Sequence, residues 1–213
     1  MKTAWNEFKN NIEDVKKIGA VYTQLVDIAP LMKEDLADLL RTQLVNAISA
    51  FDRLLHEYVR IGLLRQLSGL APLKKITKNF MIDSDSFLSL MNLGTSPQDL
   101  VTKQRIIESR INYVLKFMTF QDPKKISEAL SYIWDEEHKW QTLATELGKR
   151  QEDVISQLKL YVDRRNMIVH EADYDMAIPG RRPISSSIAQ DCISFIYSLA
   201  RQISIDAAGL SGI

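Results

Sequence analysis

The chain has 213 residues, 46% of them hydrophobic and 25% charged, a composition typical of a globular protein and not of a disordered one. Its 27 basic and 27 acidic side chains cancel, which argues against a protein that coats nucleic acid regardless of sequence, because such binding needs a large positive excess. Any contact with nucleic acid is therefore expected to be local.

Helical periodicity is easy to find along the chain, while the alternation typical of strands is not. Glycine (8 residues) and proline (6 residues) are scarce, so few turns and long elements are expected. The sequence predicts helices at about 3–27, 34–69, 86–90, 97–120, 123–133, 137–147, 151–170 and 184–208. It predicts a loop at 173–183, where Pro179, Gly180 and Pro183 lie.

The second predicted helix has the clearest pattern, because its apolar residues recur at steps of three and four and form one stripe. That stripe comprises Leu44, Ile48, Phe51, Leu55, Tyr58 and Ile61. Ser96 and Asp122, each followed by proline, are typical residues before a first helical turn. Together these elements predict an all-α protein, a single helical bundle domain of about six to eight helices over residues 1–213.

The single cysteine, Cys192, rules out an internal disulfide and a zinc site built from several thiolates. The first residues are charged and lack the apolar core of a signal peptide, and no stretch reaches the ~18 apolar residues of a membrane-spanning helix. We therefore expect a cytoplasmic protein that does not use a membrane.

The predicted helix at 151–170 has an apolar face beside a polar one, at about 100° per residue. The face expected to meet the core comprises Ile155, Leu158, Val162 and Val169, with Tyr161 and Ile168 beside it. Asp163, Asn166 and His170 are spaced by three and four residues and share a neighbouring face. Arg165 projects on the apolar side.

An arginine on an apolar face must pair with an acid or reach into a wet cavity. One interpretation is a structural ion pair with Asp52 or Glu57 of another helix, which is the commoner outcome for such a residue. The other is an anion site for a phosphate, with His170 as acid–base partner and Asn166 one turn before it. The helical pattern leaves both open.

The run DRRNMIVHE at 163–171 resembles the R-N-x-x-x-H motif of HEPN-domain ribonucleases, and its flanks resemble the RiboL-PSP-HEPN branch of that family. Residues 40–63 are similar to the long early helix of that branch. The segment FQDPKKISEALSYIW, which begins at Phe120, and the predicted helix around Trp140 are similar too. The resemblance covers about residues 36–204.

This resemblance implies a HEPN-like bundle that forms a homodimer, whose two motifs meet in one composite cleft. It implies an endoribonuclease that needs no metal and no cofactor, cleaves RNA by attack of a 2′-hydroxyl, and acts as a toxin or an anti-phage defence effector. His170 would then be the acid–base residue, Arg165 would stabilise the phosphate, and Asn166 would position the substrate. About 140° separate Arg165 from His170 on a straight helix, so one copy has difficulty aiming both at one atom.

The family also contains members that have lost catalysis and bind a protein partner, so this function stays open as an alternative. The near-zero net charge favours the binding module, whereas the intact Arg165, Asn166 and His170 favour the nuclease. An antitoxin or another protein of a defence system is the partner that the resemblance implies.

Two sets of residues are candidates for supporting roles. Asp163 shares the polar face, and Asp52 and His56 could orient Arg165 or His170, although pairs four residues apart are more often ordinary surface pairs. The candidates for RNA contact are Arg164, Arg181 and Arg182, which could equally be a solvated surface.

The run Asp135, Glu136, Glu137 and His138 contains metal-ligand residue types. One histidine among adjacent acids lacks the spacing of a metal site, and acidic residues suit the start of a helix. We therefore predict no metal site there.

Overall fold

The computed structural model describes residues 1–175 and 180–213, and eight α-helices run through these ranges. They are α1 (Lys2–Ile28), α2 (Ala37–Leu67), α3 (Ser84–Met91), α4 (Pro97–Leu115), α5 (Pro123–Leu130), α6 (Lys139–Glu146), α7 (Gln151–Glu171) and α8 (Ser186–Asp206). The predicted all-α bundle of six to eight helices is confirmed. Residues 176–179, with the Pro179 of the predicted loop, lie outside the described residues.

Helix α2 is the centre of the bundle and packs against α1, α4, α5, α7 and α8. Its predicted apolar stripe is buried except at the half-buried Ile61, and Leu44, Ile48 and Tyr58 have no exposed surface at all. The buried Tyr58 hydroxyl lies 2.7 Å from the Ser204 hydroxyl of α8, so the one polar atom of this ring is satisfied. None of the described helices is long and apolar enough to cross a membrane.

Helix α4 ends at Leu115, five residues before the predicted end, because the chain turns back onto α2. Asp52 of α2 accepts the backbone N–H of Phe120 at 2.6 Å, and the Phe120 side chain is buried. This anchor lies across 68 residues of sequence, so no local pattern could reveal it. Residues 116–122 consequently form a wall beside α7 instead of a helical extension.

The expected core face of α7 is correct in its first half and wrong at its end. Leu158 and Val162 are buried, whereas Val169 is 46% exposed. The buried residues of α7 all precede residue 163, and in the last two turns Ile168 packs against the core while only half-buried. These turns carry the predicted site.

A buried ion network ends α7 and fixes the segment that follows. Asp173 has no exposed surface, and its Oδ2 accepts from Arg41 Nε at 2.6 Å and from Arg164 Nη2 at 2.8 Å. Arg41 Nη2 also donates to the Arg182 carbonyl at 2.8 Å. Ala172 and Asp173 adopt positive φ angles of 50° and 64°, a conformation that few non-glycine residues take. We call these contacts the Asp173 network.

Candidate functional site

The polar face of α7 borders an open cleft of about 520 Å³, here called the α7 cleft. One side of it comes from α7, and the other from the anchored 116–122 segment, the start of α5 and one residue of α2. The lining residues are Asp52, Thr119, Gln121, Asp122, Pro123, Lys125, Lys159, Val162, Asp163, Arg165, Asn166 and His170.

All three predicted catalytic residues, Arg165, Asn166 and His170, line this cleft within a single chain. The sequence predicts that one copy has difficulty bringing Arg165 and His170 together, because about 140° of helix separate them. Asn166 projects between the two directions, and the long arginine side chain spans the remaining arc. One chain therefore supplies both functional groups to one cleft.

Arg165 is half-buried and has no carboxylate within ion-pair distance among the described residues. Its Nη1 donates to Asn166 Oδ1 at 3.1 Å, while its Nε is buried without a hydrogen-bond partner. A guanidinium in this state retains donors for an anion. Among the described residues, the structure contains no ion pair of the kind that the alternative interpretation of Arg165 expects.

The two acids expected to pair with Arg165 are engaged elsewhere. Glu57 Oε2 accepts from Arg60 Nη2 at 2.8 Å. Asp52 accepts the Phe120 N–H, as described above, and lines the α7 cleft without contacting Arg165 within hydrogen-bond distance. The geometry thus leaves the arginine free and uses Asp52 to hold the opposite wall.

His170 is exposed in the last turn of α7, and the described residues offer it no hydrogen-bond or ion-pair partner. Within the described residues, His170 therefore lies neither in the core nor in a structural pair, which are the usual positions of a single histidine. An imidazole that is open to solvent at the edge of a cleft can meet a substrate and exchange a proton with it.

The candidate supporting residues differ in their placement. Asp163 is exposed and lines the α7 cleft, as does Asp52. His56 lies outside this cleft, with its Nε2 3.9 Å from Asp52 Oδ1 and its ring centroid 4.4 Å from that of Phe120. His56 packs on the anchor of the wall and does not contact Arg165 or His170.

The candidate RNA contacts Arg164, Arg181 and Arg182 do not line the α7 cleft. Arg164 belongs to the Asp173 network, where burial lowers its pKa, the effect being opposed by the nearby Asp173 carboxylate. Arg181 Nη1 lies 2.6 Å from Asp38 Oδ1, and Arg182 Nη2 lies 2.9 Å from Asp175 Oδ2. These contacts give the three arginines a structural role in holding the segment after α7.

Sequence reasoning missed two cations of the cleft, Lys159 and Lys125. Lys159 precedes Asp163 by four residues, so the helical period that grouped Asp163, Asn166 and His170 could have included it. Lys125 comes from α5 and reaches the cleft only through tertiary packing, with its Nζ 3.4 Å from Thr119 Oγ1.

Within the two described ranges, no group of three or more histidine, cysteine, aspartate or glutamate side chains lies together as metal ligands would. In the acidic run before α6, the Glu136 carboxylate accepts the His138 backbone N–H at 2.9 Å, and Asp135 pairs with Lys74. These acids act locally, at the start of a helix.

Comparisons of the chain with models of protein families, with curated proteins and with solved structures found no match. The site is therefore interpreted from its own residues and geometry.

Proposed function

We propose that this protein is a metal-independent endoribonuclease that cleaves RNA at the α7 cleft by attack of a 2′-hydroxyl on the neighbouring phosphodiester. The observation that supports this most directly is the arrangement of Arg165 and His170. One open cleft contains a guanidinium and an imidazole that have, within the described ranges, no carboxylate partner and no structural partner respectively, with Asn166 between them.

The reaction assigned to this cleft needs a base, an acid and a positive group. The base removes the proton of the 2′-hydroxyl, the 2′-oxygen forms a bond to phosphorus, and the bond to the 5′-oxygen breaks as the acid protonates it. The products are a 2′,3′-cyclic phosphate and a 5′-hydroxyl. His170 supplies the proton transfer, Arg165 stabilises the negative charge on the phosphate oxygens, and Asn166 positions the substrate.

The charges that surround Arg165 support a local anion site in a chain of zero net charge. Lys125 and Lys159 line the same cleft. Of its three carboxylates, Asp122 accepts the Lys124 N–H at 2.8 Å and Asp52 accepts the Phe120 N–H, so both have donors that offset their charge. Asp163 is the remaining acid.

We also propose a homodimer, because the reaction needs an acid and a base and each chain supplies one histidine to the cleft. Exposed apolar side chains on α7 and α8 support a contact between protein surfaces there. Val169 next to His170 is 46% exposed, Leu160 is 64% exposed, and Ile188 of α8 is 41% exposed.

The biological role rests on the resemblance of residues 163–171 to the HEPN motif. We propose on that basis a cytoplasmic toxin or anti-phage effector that an antitoxin or another defence protein controls. This role predicts that expression of the protein is toxic to cells and that expression of the His170→Ala variant is not.

A second candidate function, a catalytically silent module that binds a protein, is favoured by an apolar groove of about 560 Å³ between α7 and α8. The groove is lined by Leu44, Leu160, Tyr161, Asp163, Arg164, Met167, Arg182, Ile188 and Asp191. It shares Asp163 with the α7 cleft, so a protein bound there would lie beside the proposed active site.

The test is incubation of the purified protein with RNA in the presence of a chelator, followed by analysis of the new ends. We expect 2′,3′-cyclic phosphates and 5′-hydroxyls, and we expect His170→Ala to lower the rate by about 10²–10⁴-fold. The matched control is His138→Ala, which removes another exposed histidine outside the cleft. Cleavage by His170→Ala at the parent rate would remove the assigned role, and intact RNA with the parent protein would favour the binding module.

A further inference from the structure

Two large aromatic side chains lie on the surface around the end of α4, Tyr113 inside the helix and Phe117 two residues after it. Tyr113 and Phe117 are 58% and 70% exposed, and their ring centroids lie 5.3 Å apart with the ring planes at 73°. They are four residues apart and share a face of the helix. Two adjacent aromatic rings that remain mostly in solvent are unusual on a protein surface and mark a site of interaction.

A cation accompanies each ring. The Arg110 guanidinium lies 5.2 Å from the centroid of Tyr113, and Lys116 Nζ lies 6.0 Å from that of Phe117. Arg110 is also held from the other side and its charge is partly offset, since its Nε donates to the Met81 carbonyl at 3.1 Å and its Nη1 lies 3.6 Å from Asp83 Oδ2. Lys116 is exposed and has no acid partner among the described residues.

A neighbouring face of α4 carries a second cation, and no acid on it lacks a partner among the described residues. Arg105, Asn112 and Lys116 project within about 40° of each other, and Arg105 is exposed without an ion-pair partner in the described ranges. Glu108 lies beside this face, but its Oε1 accepts from Arg60 Nη1 at 2.6 Å. The face therefore combines exposed aromatic rings with uncompensated positive charge.

This face continues into the α7 cleft through a short segment. Lys116 and Met118 line a depression of about 460 Å³, whereas Thr119 and Gln121 line the α7 cleft. Asp52 lines both, so the two depressions meet at its side chain. Tyr113 and Phe117 line neither depression, but Lys116, which lies over the Phe117 ring, lines the first, so residues 116–121 connect the aromatic pair with the cleft.

We propose that Tyr113 and Phe117 form a stacking platform for unpaired bases of single-stranded RNA, with Lys116 and Arg105 contacting its phosphates. Aromatic rings stack on any base, and nearby cations hold the backbone. A duplex hides the faces of its bases, so this platform selects single strands, loops or ends. As a route into the reaction this inference rests on the proposed function, whereas the binding itself does not.

The experiment measures binding of a labelled single-stranded RNA of about 12 nucleotides, within the site sizes of single-strand binders, by fluorescence anisotropy. It uses the full chain with His170→Ala, so that the RNA stays intact. Combining Tyr113→Ala with Phe117→Ala is expected to weaken binding by about tenfold or more. The Phe117→Trp variant, which keeps an aromatic face, is expected to bind as tightly as its parent, and Phe117→Leu is not.

Two controls separate stacking from general effects. Phe87→Ala removes a 55% exposed ring from α3, beside which no cation lies within the described residues, and should leave binding unchanged. A duplex of the same sequence should bind more weakly than the single strand, and the platform variants should reduce only the single-strand affinity. Circular dichroism confirms that each variant is folded, which the exposure of both rings leads us to expect.

The outcomes distinguish this inference from the proposed function. Loss of single-strand binding in the platform variants supports the platform even if the parent protein never cleaves RNA. Unchanged binding in folded platform variants overturns it even if the parent cleaves, and so does equal binding by Phe117→Leu and Phe117→Trp; the aromatic face would then serve a protein partner.

Discussion

Arg164 and Arg165 are neighbours in α7, yet they belong to two regions with opposite properties. Arg164 enters the Asp173 network, where a buried carboxylate and two backbone carbonyls accept its Nη2. Arg165 enters the α7 cleft, where Asn166 is its only hydrogen-bond partner among the described residues. The difference shows that the groups facing an arginine, and not its residue type or its helix, decide whether it stabilises the fold or stays available to a ligand.

The two regions also depend on each other. The Asp173 network holds the chain at Ala172 and Asp173 in a left-handed conformation that stops α7 just after His170. Arg41 links this point to α2, which also carries Asp52 on the far side of the cleft. The Asp173 network thus fixes the position of the α7 cleft.

The largest expected effect comes from Asp173, the carboxylate at the centre of the Asp173 network. Asp173→Asn keeps a residue that tolerates the positive φ but removes the buried carboxylate that the buried Arg41 and the half-buried Arg164 share, so we expect a loss of about 3–5 kcal/mol in the free energy of unfolding. Urea denaturation measures it. Asp163→Asn, which changes an exposed carboxylate on α7, is the control and should shift stability by about 0.5 kcal/mol or less. A loss below about 1 kcal/mol for Asp173→Asn would contradict the structural role.

Replacing Arg164 with methionine should mainly lower stability, whereas replacing Arg165 with methionine should mainly lower the cleavage rate. Arg164→Met removes hydrogen bonds to a buried charge and should lower stability by about 2 kcal/mol. Arg165→Met removes no carboxylate contact and should change stability by about 1 kcal/mol or less, while it lowers the cleavage rate by about 10²–10³-fold. Urea denaturation and RNA cleavage are measured on both variants. Equal losses of stability in the two variants would contradict the different roles assigned to Arg164 and Arg165.

Added salt should weaken RNA binding at the α7 cleft and have little effect on the ion pairs of the Asp173 network. If Arg165, Lys125 and Lys159 contact phosphates, these three contacts alone should contribute about −2 to the logarithmic slope with which the affinity for single-stranded RNA falls with salt. The free energy of unfolding should change far less, because buried pairs are screened much less than exposed ones. Anisotropy titrations and urea curves at the same series of salt concentrations provide the comparison. An affinity that does not respond to salt would argue against phosphate binding at the cleft.

The smallest expected effect concerns the shape of the cation in the cleft. Arg165→Lys keeps the charge but loses the planar pair of donors, so we expect a rate about tenfold below the parent, equivalent to about 1.4 kcal/mol in the activation free energy. Cleavage assays at saturating RNA measure it, with Lys159→Arg as the reverse exchange on the same face. Full activity of Arg165→Lys would mean that charge alone is needed there.

The sequence predicted the helices well because apolar periodicity and capping residues are local signals. The stripe of α2 and the starts of α4 and α5 after Ser96 and Asp122 all lie where the pattern placed them. Errors appeared where a distant contact overrides the local pattern. The end of α4 depends on the hydrogen bond between Asp52 and Phe120, and the exposure of Val169 depends on where the core stops.

In the candidate site, too, some features follow from local residue spacing and others depend on distant contacts. The shared face of Asp163, Asn166 and His170 follows from spacing, and all three do line one cleft. The choice between pairing and freedom for Arg165 could not follow from spacing, since it depends on Asp52 and Glu57 having other partners. The partners of Arg164, Arg181 and Arg182 lie in other segments or at the end of α7, and the sequence gives no sign of them.

The sequence by itself determined that the chain is helical and that one helix presents arginine, asparagine and histidine together, because side-chain direction along a helix depends only on residue spacing. Tertiary structure alone decided that Arg164 is paired and Arg165 is free, and that the 116–122 segment completes a cleft. The physical reason is that the state of a charged group depends on the dielectric and the partners around it, and segments far away in the chain supply both.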